Sequence, residues 1–248
     1  MQHLPSGTGP GKGTAGGAGG NRLLAVLPRA KRDLLEPMLT HLALLPGEML
    51  LAPGQWIERI IFPDSGIVAL IAESSAGGRV CVEFLGKEGL VGLPALLGMP
   101  SSPLRACVLV EGKARSIATE RLRALADRDF ALRDLMRRHA MASIAQLAYN
   151  TACGALHPLR QRTARCLLEL QDRAGPGFAL TQDWLACLVG ARRPTVNQVL
   201  GQLRQEALIS LARGAVAVAD PEGLEAAACP CRRTIRELRL GLLPHSFT

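Results

Sequence analysis

Residues 180–209, LTQDWLACLVGARRPTVNQVLGQLRQEALI, set the tightest limit on what this chain can fold into. At helical period they give two short helices around a tight turn. Ala186 is small where a second helix crosses closely over the first. Gly190, four residues on, can take the left-handed conformation that ends one helix and turns the chain. Val196 and Val199 share one face, three residues apart, and can pack back onto Leu185 and Val189. The opposite face of the second helix carries Arg192, Arg193, Thr195, Asn197 and Gln198. Guanidinium, hydroxyl and amide groups suit the phosphates and base edges of a major groove. An unrelated amphipathic hairpin can share the spacing, but its solvent face would be richer in Glu and Lys.

The periodicity changes along the rest of the chain. Residues 1–21 are Gly-rich and of low complexity, which predicts a flexible tail. Residues 22–45 are helical in pattern, with Leu23, Leu24, Leu27, Leu34, Leu35 and Leu39 on a recurring face that Pro28 and Pro37 interrupt. From Pro46 short apolar runs (EMLLAPGQ, RIIFPDSGIVALIAE, RVCVEFLG, LRACVLV, KARSIAT) alternate with turn residues. A spacing of roughly eight to twelve residues between turns predicts a jelly-roll β-domain. Residues 120–151 hold neither Pro nor Gly. A helix of about 30 residues spans roughly 45 Å. Leu132, Met136, His139 and Ser143 form one seam on it, and Ile144, Leu147 and Thr151 an adjacent one. Such a helix beside a small β-domain predicts pairing with a twin, hence a homodimer. Cys153-Gly154 ends it, and Pro158 starts another helix through Arg160, Arg162 and Arg165 to Arg173. After the helix pair, SLARGAVAVAD reads as a β-hairpin wing around Arg213-Gly214.

The expected fold is therefore α+β: an N-terminal jelly-roll β-domain over 22–119, a dimerisation helix over 120–152 and a C-terminal winged helix-turn-helix over 153–228. Tails are expected at 1–21 and 229–248. The formal net charge of +8 favours a polyanionic partner. Apart from Lys12, Lys31, Lys87 and Lys113 the 29 basic residues are all Arg, the side chain suited to bidentate phosphate and guanine contacts.

The 7 cysteines are odd in number and scattered. No apolar leader precedes Arg22, and no run reaches the ~18 apolar residues of a membrane helix. A reduced, cytoplasmic protein without a membrane span is the expectation. Cys81 and Cys107 lie in apolar runs and read as core. Cys229-Pro230-Cys231 is half a metal site at most, with no histidine beside it, and reads as two unpaired thiols; no metal or cofactor is expected. Nucleophile elbow, phosphate loop and metal-ligand cluster are all missing from the sequence, which argues against an enzyme.

Two stretches, GLVGLPALLG from Gly89 and LTQDWLACLVGARRPTVNQVLGQL from Leu180, together with the order jelly roll, long helix, winged helix-turn-helix, resemble the catabolite activator/fumarate–nitrate regulator (Crp/Fnr) family of transcription regulators. The resemblance spans 22–231, and CGALHPLRQRTARCLL from Cys153 is similar to a branch without a known nucleotide ligand. It implies a β-domain of the cyclic-nucleotide-binding type and a homodimer on a palindromic site in double-stranded DNA, with RNA polymerase as a further partner of an activator.

The family's cyclic-AMP binders hold the ribose and phosphate with a Gly-Glu-Leu triplet and a later Arg-Ser pair. Here Gly92 matches, Leu93 stands where the Glu would be, and Arg105 is displaced by one residue toward the other face of its strand. Cyclic AMP is therefore not the expected effector. The family's iron–sulfur members use an N-terminal cysteine cluster, and this chain has no cysteine before Cys81. At the DNA end Arg193 and Gln198 match base-reading positions, with Asn197 between them. Pro194 replaces a frequent acidic reader, and Arg192 and Thr195 suit phosphates. The alternative reading is a ligand-binding or protein-interaction module whose DNA face has degenerated; Ala212 and Ala215 in the wing favour it.

Overall fold

The computed structural model describes residues 20–75 and 77–243, so the expected tail at 1–21 falls almost wholly outside the described residues. Two short helices, α1 (Arg22–Val26) and α2 (Arg29–Leu35), open the fold, and the buried Asn21 caps α1 through its side chain. Seven strands follow: β1 (Thr40–Leu44), β2 (Met49–Leu51), β3 (Arg59–Pro63), β4 (Ile67–Glu73), β5 (Arg79–Leu85), β6 (Arg105–Val110) and β7 (Gly112–Ala118), with the short helix α3 (Leu93–Leu96) between β5 and β6. They form two antiparallel sheets, β1-β7-β3 and β2-β6-β4-β5, the layers of the expected jelly roll. The helical pattern expected to continue through residue 45 gives way at Thr40, where β1 pairs with β7.

The centre of the second sheet is buried on both faces. Val68, Leu85, Ala106 and Val108 point into the roll with Phe62, Leu90 and Ile117. Their neighbours of opposite parity, Ile67, Ala69, Ile71, Cys107 and Leu109, join Cys81 and Phe84 in a different core. That core belongs equally to the C-terminal half: α6 (Leu159–Ala174), β8 (Gly177–Ala179), α7 (Gln182–Val189), α8 (Arg193–Gln205), β9 (Ile209–Ala212), β10 (Ala215–Val218) and α9 (Pro221–Ala227). The two domains thus share one continuous apolar interior, with α7 packed on β5.

Three expectations need correction. The segment read as one helix over 120–152 is two, α4 (Thr119–Arg128) and α5 (Phe130–Leu156). Asp129 is extended between them, and its carboxylate accepts from the Leu132 N–H, capping α5. The seam Leu132, Met136, His139 and Ser143 is buried within the single chain, because β5 and a last helix, α10 (Cys231–Leu242), cover it. The large apolar side chains left exposed on α5 are Phe130, Met141 and Ile144, with Leu156 at its last residue. Finally, most of the described part of the expected tail, Cys231–Leu242, folds into that α10, whose Ile235 and Arg239 are buried.

A knot of charges ties these parts together. Glu83 on β5 accepts from Ser143 Oγ at 3.2 Å and lies 3.6 Å from the Arg239 guanidinium. Glu88 accepts from Arg173 Nε at 2.6 Å and lies 3.8 Å from Arg239. Burial opposes the charge of Glu88, but Arg173 and Arg239 outweigh it and hold its carboxyl at about 2. Glu83 has weaker compensation: burial pushes it up to about 7 against Arg239 and Ser143. The buried His139 imidazole is held down to about 3 by burial and by Arg239.

Glu83 has an ordinary value of 4.5 and titrates near 7 in the fold, so between these the folded chain keeps a proton the unfolded chain has lost. Its contribution to stability therefore falls as pH rises through that window. Glu83→Gln is expected to raise the melting temperature relative to the parent at about pH 8, by an effect on the order of 3 kcal/mol at most, and to lose most of that advantage at about pH 5. His139 titrates in both proteins and cancels from the difference. Equal differences at the two pH values would contradict the assignment.

Candidate nucleic-acid interface

The helix pair is built by local devices at each end. Thr181 Oγ1 accepts from the Trp184 N–H at 3.2 Å and caps α7. Gly190 ends it at φ +60, and the Ala191 N–H returns to the Ala186 carbonyl at 3.0 Å, satisfying a helix-end acceptor. A β-carbon at Gly190 would sit 3.1 Å from Val80 of the β-domain, so the turn is pressed against β5 as well as left-handed. Arg162 of α6 donates to the Val189 carbonyl at 2.7 Å, fixing the same helix end. That positioning role was not legible in the sequence, where Arg162 was one of several arginines along a helix.

α8 begins after Arg192 with Pro194 in its first turn, where a missing N–H costs nothing. Val196, Val199, Leu200 and Leu203 are buried against α7 and α6. Arg192, Arg193, Thr195 and Gln198 are exposed on the other side, so four of the five expected side chains share an open face. Asn197 is only half exposed, and its Oδ1 is buried without a hydrogen-bond partner among the described residues. It lies at the border between the buried and open faces.

Arg193 is held by the preceding helix: its Nε donates to Gln182 Oε1 at 3.3 Å, and its guanidinium lies 3.5 Å from Asp183. All three are exposed, and a pair of that kind is worth little. The arrangement aims the guanidinium while leaving it free to exchange partners. Beside it, a groove of about 420 Å³ runs between α8 and the wing, lined by Gln182, Arg193, Arg213 and Gly214 among others. The wing is three-stranded, β8-β10-β9, with Arg213 exposed at its tip. β8 is not expected from the sequence, because the three residues Gly177–Ala179 are too few to show strand periodicity.

At the sensor end Gly92 has φ +101 and caps α3, and a β-carbon there would lie 2.9 Å from Ile57 and Ile60. Leu93 follows as the first residue of α3. Arg105 has the parity of Cys107 and Leu109 and so points out of the roll, whereas Ala106 points in. Its guanidinium makes two hydrogen bonds to the Glu73 carboxylate, at 2.8 and 3.1 Å, which hold Glu73 below the usual carboxylate range. The structure therefore does not bring Arg105 together with Gly92 and Leu93 inside the roll.

Two family models match the chain: a cyclic nucleotide-binding domain over residues 42–129 and a Crp-like helix-turn-helix domain over residues 161–227. The HTH-type transcriptional regulator Cmr of Mycobacterium tuberculosis is 29% identical over 184 residues, which are 71% of this chain and 69% of that protein. A CRP-like cAMP-activated global transcriptional regulator of the same organism is 28% identical over 193 residues, 72% of this chain and 83% of that protein.

Among solved structures, FixK2 from Bradyrhizobium japonicum superposes with a TM-score of 0.68 at 17% identity, covering 77% of this chain and 98% of that one. The c-di-GMP responsive global regulator CLP of Xanthomonas campestris gives 0.64 at 17% identity, covering 77% and 99%. These two likenesses bear on the fold. No described helix is long and apolar enough to cross a membrane. With a cyclic nucleotide-binding domain ahead of a Crp-like helix-turn-helix domain, the chain is built as a DNA-binding transcription regulator and is similar to regulators of the Crp/Fnr family.

Proposed function

We propose that this regulator binds a palindromic DNA site as a homodimer, with Arg193 and Gln198 reading bases, Asn197 assisting at the edge of the face, and Arg192 and Thr195 holding phosphates. The observation that carries the reading is the division of α8: one side is buried in the domain core, and the other presents two guanidiniums, a hydroxyl and an amide to solvent. The first turn of a recognition helix is where base edges come within reach. Arg213 on the wing tip adds a cation that suits a neighbouring phosphate. Phe130, Met141 and Ile144 lie on one stripe of α5 at offsets of three turns and one, and they are 69, 53 and 55% exposed. That stripe, rather than the seam buried under α10, is the face for a two-fold partner. A dimeric activator would in addition meet RNA polymerase, and a cytoplasmic location follows from such partners.

The β-domain acts as the sensor or scaffold without taking cyclic AMP in the manner of the relative named for it. Leu93 supplies no acceptor for a ribose hydroxyl. Arg105 is committed to Glu73 on the outer face, so a phosphate buried in the roll would lack its cation. Titration calorimetry of the purified chain with cyclic AMP is expected to show no saturable heat in the micromolar range; saturation there would contradict this part of the reading.

Arg193→Ala tests the DNA part. On fragments that the parent chain retains, the substitution is expected to cost roughly 1–3 kcal/mol and to relax preference at one base position. A loss equal on all sequences would make Arg193 a phosphate contact, and no loss would remove it from the interface.

A further inference from the structure

Four donor side chains that play no part in the reading face converge where the long helix meets the last one. Cys153 stands in the final turn of α5, and His157 is its C-cap one helical turn on. Cys229 and Cys231 flank Pro230, from which α10 starts. Their ligand atoms all lie within 4.8 Å of one another. Cys153 Sγ is 3.4 Å from Cys229 Sγ, and Cys231 Sγ is 3.6 Å from His157 Nδ1. The three cysteines are buried, and His157 is half exposed, which leaves a way in from solvent.

These separations have a chemical meaning. A tetrahedral ion with metal–sulfur bonds of ~2.3 Å and metal–nitrogen bonds of ~2.0 Å holds its ligand atoms about 3.5–3.8 Å apart. Both close pairs already stand near that spacing, and the widest needs to close by about 1 Å. Cysteines used only as small apolar side chains face carbon; these face one another and an imidazole nitrogen. Arg165 supplies an independent observation. Its side chain is 10% exposed, it pairs with Glu169 at 2.6 Å, and its Nε has no hydrogen-bond partner among the described residues. Its charge lies within electrostatic reach of Cys153 and Cys229. Three thiolates around a dication leave one negative charge in excess, the charge a neighbouring guanidinium offsets.

We propose that Cys153, His157, Cys229 and Cys231 form a binding site for one borderline-soft divalent cation of the zinc type. All four positions are protein ligands, so the ion has no open position for substrate, and its role is structural. On binding, the three thiols release their protons to solvent and the imidazole coordinates through Nδ1 with its proton on Nε2; no electron is transferred. The ion fastens α10 to the end of α5, beside Pro158, where the chain turns into α6 and the DNA-binding domain. None of the ligands belongs to α7 or α8, so the inference does not depend on how DNA is read. It replaces the expectation of two unpaired thiols in a tail: the histidine was missing only from the neighbourhood in sequence.

The test is a titration of the full chain, reduced, freed of metal by a chelator and kept anaerobic, with Co²⁺ alone. The expected result is saturation at one ion per chain with the visible bands of tetrahedral Co²⁺ and thiolate charge transfer, bleached by an equimolar amount of Zn²⁺. Cys231→Ser and His157→Gln are each expected to weaken Zn²⁺ binding, measured against a chromophoric chelator, by roughly a hundredfold or more, while Cys187→Ser leaves it unchanged. The spectrum of the parent chain decides the matter even if a variant fails to fold. An octahedral Co²⁺ spectrum, or affinity unaffected in folded Cys231→Ser and His157→Gln, would overturn the proposal. So would a Cys153–Cys229 disulfide that, once the reduced chain is exposed to dioxygen as oxidant, forms equally fast with and without Zn²⁺.

Discussion

The arrangement depends on a four-stranded sheet whose centre is covered on both faces. Antiparallel sheets usually bury one side and wet the other. In β4 the successive residues Ile67, Val68 and Ala69 are all fully buried, because even positions fill the roll and odd positions fill the core of the DNA-binding half. Fully burying one large aliphatic or aromatic side chain is worth about 1.5–3 kcal/mol. Parting the two halves would expose Ile67, Ile71, Phe84 and Leu109 on one side and parts of Leu185, Leu188 and Val189 on the other. The shared core therefore fixes where the helix-turn-helix stands relative to the β-domain.

From that sheet the geometry of the reading face follows in short steps. α7 packs on β5, with its terminal glycine against Val80. α8 packs on α7 through Val196 and Val199. Arg162 and Thr181 fix the two ends of α7, and Gln182 and Asp183 at its start hold Arg193. The charged knot of Glu83, Glu88, Arg173 and Arg239 lies among β5, the loop after it, α6 and α10, so it joins the same parts by directional contacts. Buried charges of this kind define an arrangement more than they add stability, since desolvation offsets much of their attraction.

Much of this was legible in the sequence where the signal is local. The turn at Gly190, the split of α8 into valine and arginine faces, and the strand runs after Pro46 all rest on residues within one turn or one hairpin of each other. What failed was long-range. Whether Leu132, Met136, His139 and Ser143 face a twin or their own chain depends on α10, roughly a hundred residues on, and periodicity gives only the face, not its partner. The break at Asp129 was hidden because no Pro or Gly marks it; the carboxylate that caps α5 reads equally as a surface charge. Cys229 and Cys231 lay in a segment read as a tail, although Ile235, Leu238 and Leu242 recur there at helical spacing; their neighbours Cys153 and His157 arrive only when α10 folds back on α5. Arg105 points out of the roll as strand parity, a local rule, leads one to expect.

On the function proposed above, the exposed half of α8 reads a two-fold symmetric DNA sequence. Selection of bound fragments from a random duplex pool, repeated across a salt titration, tests it most directly. The expected result is enrichment of two inverted half-sites one helical turn apart, with affinity falling steeply as salt rises. Enrichment of a single unpaired half-site would contradict the dimer, and no enrichment at low salt would contradict DNA reading by this face altogether.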